Sequence, residues 1–67
     1  MKVLVTGATG RLGTLACKEL LQRGHEVVGT DQRFARGLDY PLKLADLRNS
    51  LAVYPLLEGC EAVVHLG

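Results

Sequence analysis

The stretch Thr6-Gly7-Ala8-Thr9-Gly10-Arg11-Leu12-Gly13 follows a short apolar run, Val3-Leu4-Val5, and leads directly into a helical pattern. The run is too short for a helix and rich in β-branched residues, which predicts a buried first strand. Beyond the glycines, Leu12, Leu15, Ala16 and Leu20 recur at i, i+3, i+4 and i+8, one face of a helix. Gly24 stands where a left-handed C-terminal cap is wanted. The glycines therefore lie on a strand-to-helix turn, and such a turn reads as a phosphate cradle. Without Cβ atoms the backbone can approach a ligand closely. The helix N-terminus just beyond offers unpaired N–H groups and the positive end of its macrodipole to an anion.

In this reading Gly7 makes the tight turn, Gly10 lets a pyrophosphate come close, and Gly13 lets the helix pack against the strand. The spacing G-x-x-G-x-x-G departs from G-x-G-x-x-G, because Ala8 occupies the place of that motif's first glycine. It is not a P-loop either, since Leu12 stands where G-x-x-x-x-G-K-[ST] requires glycine. A glycine-rich turn that merely connects strand to helix is the bland alternative. The placement between strand and helix favours dinucleotide binding.

After Gly24, Glu26-Val27-Val28-Gly29-Thr30 reads as a second buried strand ending at Asp31, which completes a right-handed β-α-β unit with parallel strands. Asp31 comes eighteen residues after Gly13, close to the interval of about 20 at which a ribose-binding acid follows a dinucleotide-binding loop. Its carboxylate would accept hydrogen bonds from the adenosine ribose and repel a 2′-phosphate. A helix cap or a solvated turn aspartate is the alternative. The segment from Gln32 to Pro41 shows no period and reads as a surface loop. Its Arg33 and Arg36 leave NADP open, because an arginine here can pair with a 2′-phosphate. Asp31 at the ribose position favours NAD.

Leu42-Lys43-Leu44-Ala45 reads as a short third strand, followed by Asp46-Leu47. Asn49 and Ser50 are good N-cap residues for a second helix, with Leu51, Tyr54 and Leu57 at helical spacing up to Gly59. Pro55 falls past the first turn and predicts a kink or a late start. Ala62-Val63-Val64-His65-Leu66 reads as a fourth strand, apolar but for a histidine that sequence alone reads as structural. The fold class is thus α/β, the N-terminal half of a doubly wound parallel sheet in the order 3-2-1-4, with a ligand across the carboxyl ends of the strands.

Composition narrows the function classes. Sixty-seven residues, 48% hydrophobic and 22% charged, suit one small globular unit and not a disordered tail. A net charge of +1 with dispersed basic residues gives no footprint for nucleic acid or an anionic membrane. Only three apolar residues lie between Met1-Lys2 and Thr6, and no span approaches the roughly 18 apolar residues of a membrane helix. Cys17 and Cys60 match no C-x-x-C or zinc spacing and suit a reduced, cytoplasmic setting.

Thr6 to Gly13 resembles the T-G-x-x-G-x-x-G motif of the short-chain dehydrogenase/reductase superfamily, and the chain is similar to the opening of its extended, epimerase/dehydratase-type branch. The resemblance rests on the glycine loop, Asp31, Asp46-Leu47 and Val63-Val64-His65-Leu66. It implies a partial NAD(P)-binding domain over residues 1–67, with Asp46 and Leu47 touching the adenine ring. The expected cofactor-binding set is Gly7, Thr9, Gly10, Arg11, Leu12, Gly13, Asp31, Arg33, Asp46, Leu47, Leu66 and Gly67. The resemblance also implies a small-molecule substrate, of sugar or nucleotide-sugar type. Its Tyr-x-x-x-Lys centre is missing here, because Leu44 follows Tyr40 and Glu58 follows Tyr54 at the fourth place. Two functions fit these residues: the cofactor half of an NAD-dependent oxidoreductase or epimerase/dehydratase, inactive alone, and a non-catalytic cofactor sensor. An apolar fourth strand without Lys or Pro at the sheet edge predicts self-association.

Overall fold

A computed structural model describes residues 1–66. The Val3–Val5 run becomes β1, Lys2–Thr6, and the segment after the glycine loop becomes α1, Arg11–Gln22. Arg23 ends α1, and Gly24 at φ 84° follows in the left-handed conformation expected of it. The chain continues as β2 (Glu26–Asp31), β3 (Leu42–Leu44), α2 (Ser50–Leu57) and β4 (Ala62–His65). All three strand pairings are parallel, in the order β3-β2-β1-β4. Relative to the sequence reading, β2 ends at Asp31 as expected, while β3 and β4 each stop one residue earlier.

The sheet has two apolar faces, because successive side chains of a strand alternate. Val3, Val5 and Val27 pack with Ala8, Cys17 and Tyr40 on the α1 side, and Leu4 and Val28 pack with Leu56 on the α2 side. Helices on opposite faces are what right-handed crossovers running in opposite directions along the sheet, β1 to β2 and β3 to β4, require. Burying each of these valines and leucines contributes about 1.5–3 kcal/mol. Thr30 is fully buried, and its hydroxyl has no hydrogen-bond partner among the described residues.

In both helices part of the apolar spacing read from the sequence is turned away from the sheet. In α1 the buried residues are Gly13 and Cys17, with Leu20 and Leu21 packing beside them, whereas Leu12 and Leu15 are 70% and 64% exposed. The reason is contact distance. The start of α1 is pressed against the glycine loop so closely that a Cβ on Gly13 would lie 1.9 Å from the Gly7 carbonyl oxygen. Only the smallest side chains fit along that line. In α2, Leu51, Tyr54 and Leu57 face outward and Leu56 is buried. Apolar residues surround this helix, so spacing selects no face.

Pro55 does not delay the start of α2. The helix starts at Ser50, with the Asn49 side chain accepting from the Leu51 N–H at 3.1 Å, and contains Pro55. The proline withholds a bond from the carbonyl of Leu51, four residues earlier, and Leu51 is the most exposed large apolar residue, so water can take that bond. Two residues later the helix ends.

Candidate functional site

The carboxyl ends of β1, β2, β3 and β4 surround a cleft of about 490 Å³, lined by Gly7, Asp31, Gln32, Arg33, Ala45, Asp46, Leu47, Arg48 and His65. Five of the expected cofactor residues therefore share one cleft: Gly7, Asp31, Arg33, Asp46 and Leu47. Gly10, Arg11 and Leu12 are exposed where the loop passes into α1. Leu66 sits at the end of β4, its N–H donating to the Thr6 hydroxyl at 2.9 Å. Gly67 lies outside the described residues.

The loop divides its N–H groups between structure and free positions. Gly7 turns the chain at φ 68°, a conformation that favours glycine. Ala8 N–H donates to the Thr30 carbonyl at 3.1 Å, Thr9 N–H to Asp31 Oδ2 at 3.0 Å, and Gly10 N–H to the Gly7 carbonyl at 3.1 Å. Helical bonding then begins with Thr14 N–H to the Gly10 carbonyl at 2.9 Å. The N–H groups of Arg11, Leu12 and Gly13 precede that ladder and carry the positive end of the α1 dipole. A Cβ on Gly10 would meet nothing nearer than the Gly7 oxygen at 3.4 Å, so this glycine leaves room on the outside of the loop.

Asp31 is held on both oxygens. Oδ2 accepts from the Thr9 hydroxyl at 2.7 Å as well as from its N–H, and Oδ1 accepts from the Arg33 N–H at 3.1 Å. Burial alone would push this carboxyl up, but the Thr9 hydroxyl, the Thr9 N–H and the N–H groups of Arg33 and Gln32 outweigh it and hold it below its ordinary value. Asp46 is held at about 2, chiefly by hydrogen bonds from Arg48, whose guanidinium reaches Oδ2 at 2.9 Å. Gln32 Nε2 also donates to Asp46 Oδ1, at 3.1 Å. Both acids are therefore anionic at neutral pH, one beside the glycine loop and the other across the cleft.

Two supports went unread in the sequence. Tyr40, read as part of a surface loop, is buried and donates its hydroxyl to the Ala8 carbonyl at 2.8 Å. Burial, and then the neighbouring Cys17 thiol, push its phenol up to about 12. Its ring covers Gly29, where a Cβ would lie 2.7 Å from the Ala8 Cβ and 3.0 Å from Tyr40 Cε2. Tyr40 thus backs the glycine loop from the α1 face. His65, read only as structural, has Nδ1 2.7 Å from the Thr6 hydroxyl and ties the end of β4 to that of β1. Neither contact had a signal in the sequence, because both join residues more than 30 positions apart.

A parallel sheet with a glycine loop opening a helix and an acid at the end of the neighbouring strand defines a dinucleotide-binding α/β unit. Residues 3–67 match the model of the NAD dependent epimerase/dehydratase family, and the chain belongs to that family. A Bacillus subtilis (strain 168) relative, the uncharacterized UDP-glucose epimerase YtcB, is 37% identical over 82 residues, covering 98% of this chain and 26% of its own length. A solved UDP-glucose-4-epimerase from Stenotrophomonas maltophila, with bound NAD and formylated UDP-arabinopyranose, superposes with a TM-score of 0.89 at 32% identity, over 100% of this chain and 24% of that one. A short-chain dehydrogenase/reductase superfamily protein from Agrobacterium tumefaciens with bound NAD gives 0.87 at 33% identity, over 100% and 20%. The chain thus spans about a quarter or less of the length of these relatives.

Proposed function

We propose that residues 1–67 are part of an NAD-binding domain, the cofactor portion of a protein that oxidises, reduces or epimerises a sugar or nucleotide sugar. The observation that carries this is the Asp31 carboxylate, held against the glycine loop at the mouth of the cleft. In this reading the pyrophosphate lies on the N–H groups of Arg11, Leu12 and Gly13, where Gly10 leaves room, and the adenosine ribose hydroxyls donate to Asp31. Adenine enters the cleft beside Arg33, Asp46 and Leu47, and Leu66 is assigned to the cofactor as well. When bound, the nicotinamide supplies the hydride acceptor or donor. Sugar substrates follow from the nucleotide sugar bound by the Stenotrophomonas relative. No helix among the described residues is long and apolar enough to cross a membrane. The cytoplasmic location proposed here is supported by the free thiols of Cys17 and Cys60.

Titration of the protein carrying this chain with NAD and NADP tests the reading. Asp31→Ala removes the ribose acceptor and the repulsion of a 2′-phosphate together. The expected result is a loss of about tenfold or more in NAD affinity, the scale of a hydrogen bond to a charged group, with a shift of preference towards NADP. A wild type that strongly prefers NADP, or an unchanged ratio in the variant, overturns the Asp31 assignment.

The 67-residue chain alone is expected to be inactive and to self-associate. The outer edge of β4 has no strand partner among the described residues, carries no Lys or Pro, and leaves Val63 49% exposed. Pairing with a second copy would satisfy that edge. Sedimentation of the purified chain is expected to show dimers or larger species, and a folded monomer at high concentration would refute this. Turnover of a sugar nucleotide by the same sample would refute the inactivity.

A further inference from the structure

The glycine loop is bolted to the end of β2 at two successive residues. Ala8 N–H donates to the Thr30 carbonyl, and Thr9 then donates twice to the side chain of Asp31, through its N–H at 3.0 Å and its hydroxyl at 2.7 Å. The hydroxyl bond is the shortest that Asp31 makes. With the N–H groups of Arg33 and Gln32 also on the carboxylate, its acceptor directions are largely taken up by the chain itself. Its plane and direction are therefore set before any ligand arrives, at the edge of the cleft it lines.

We propose that Thr9 is a positioning residue for cofactor choice: its hydroxyl clamps the Asp31 carboxylate where it accepts from a ribose and opposes a 2′-phosphate. The proposal rests on the reading of Asp31 as the ribose acid. A carboxylate freed from the clamp can rotate, losing the prealigned acceptor for NAD and easing its repulsion of NADP. Specificity then depends on a residue that touches the acid rather than the ligand.

The test compares dissociation constants for NAD and NADP in the wild type, Thr9→Val, Thr9→Ala and Thr9→Ser, with thermal melts to confirm folding. Valine keeps the shape and the backbone N–H and removes only the hydroxyl. The expected result for Thr9→Val and Thr9→Ala is NAD binding weakened about fivefold with NADP binding changed less than about twofold, and for Thr9→Ser a ratio within about twofold of the wild type. A merely structural staple would weaken both cofactors equally and leave the ratio in place, which overturns the proposal, as does a serine variant that fails to restore it. Asp31→Ala separates the two readings. If it lowers the ratio and Thr9→Val does not, the clamp alone fails; if it does not lower the ratio, the ribose assignment fails first.

Discussion

Replacing Gly10 with valine is expected to leave the protein folded and to remove its affinity for NAD. At φ −77° and ψ 175° the residue is extended, a conformation that a β-branched side chain adopts readily. The added Cβ meets the Gly7 oxygen at 3.4 Å, an ordinary contact, so the unliganded loop has little reason to move. The two methyl groups instead occupy the space through which a pyrophosphate would reach the N–H groups of Arg11 and Leu12. Losing two charge-assisted hydrogen bonds is worth about 3 kcal/mol or more, roughly 100-fold in affinity. Calorimetric titration with NAD, paired with a thermal melt, checks both halves. A variant that melts normally and binds as well as the wild type would remove the pyrophosphate from this loop.

Gly13→Ala is expected to do the reverse and unfold the domain. Its Cβ would stand 1.9 Å from the Gly7 carbonyl oxygen, 2.7 Å from the Gly7 carbonyl carbon and 2.9 Å from the Ala8 Cα. All three are backbone atoms, and no rotamer change relieves them. Helix and loop must part, at a cost of about 3 kcal/mol or more, which is the upper range for overpacking. A chain of this size buries only about 60% of its unfolded surface and has little stability to spare. Alanine is otherwise the better helix former by about 1 kcal/mol, so a loss of stability reports packing and not propensity. Urea unfolding followed by circular dichroism measures it; a midpoint equal to the wild type would mean that the helix does not press on the loop.

Motif position already assigns Gly10 to ligand approach and Gly13 to packing, and the structure agrees: one is open on its outer side, and the other is closed by its own loop. How close the neighbouring atoms come is set by the fold, and spacing along a chain carries no such distance. The same limit explains the helix faces. Leu12 and Leu15 satisfy a period of 3.6 as well as Gly13 and Cys17 do, and what decides between them is how near the helix axis comes to the sheet.

The sequence by itself determined the order and kind of the elements, the strand order 3-2-1-4, the turn that carries the glycines and the acid that follows eighteen residues after Gly13. These depend on local backbone preference, on runs of apolar residues and on the handedness of crossovers, all of which act over short separations. Tertiary structure alone decided the rest. It turned α1 onto Gly13 and Cys17, buried Tyr40 under Ala8 across 32 positions, and brought Thr9 onto Asp31 across 22. Those contacts form only when parallel strands set distant segments side by side, because the hydrogen bonds of a buried hydroxyl or carboxylate are satisfied by whatever the sheet delivers to it.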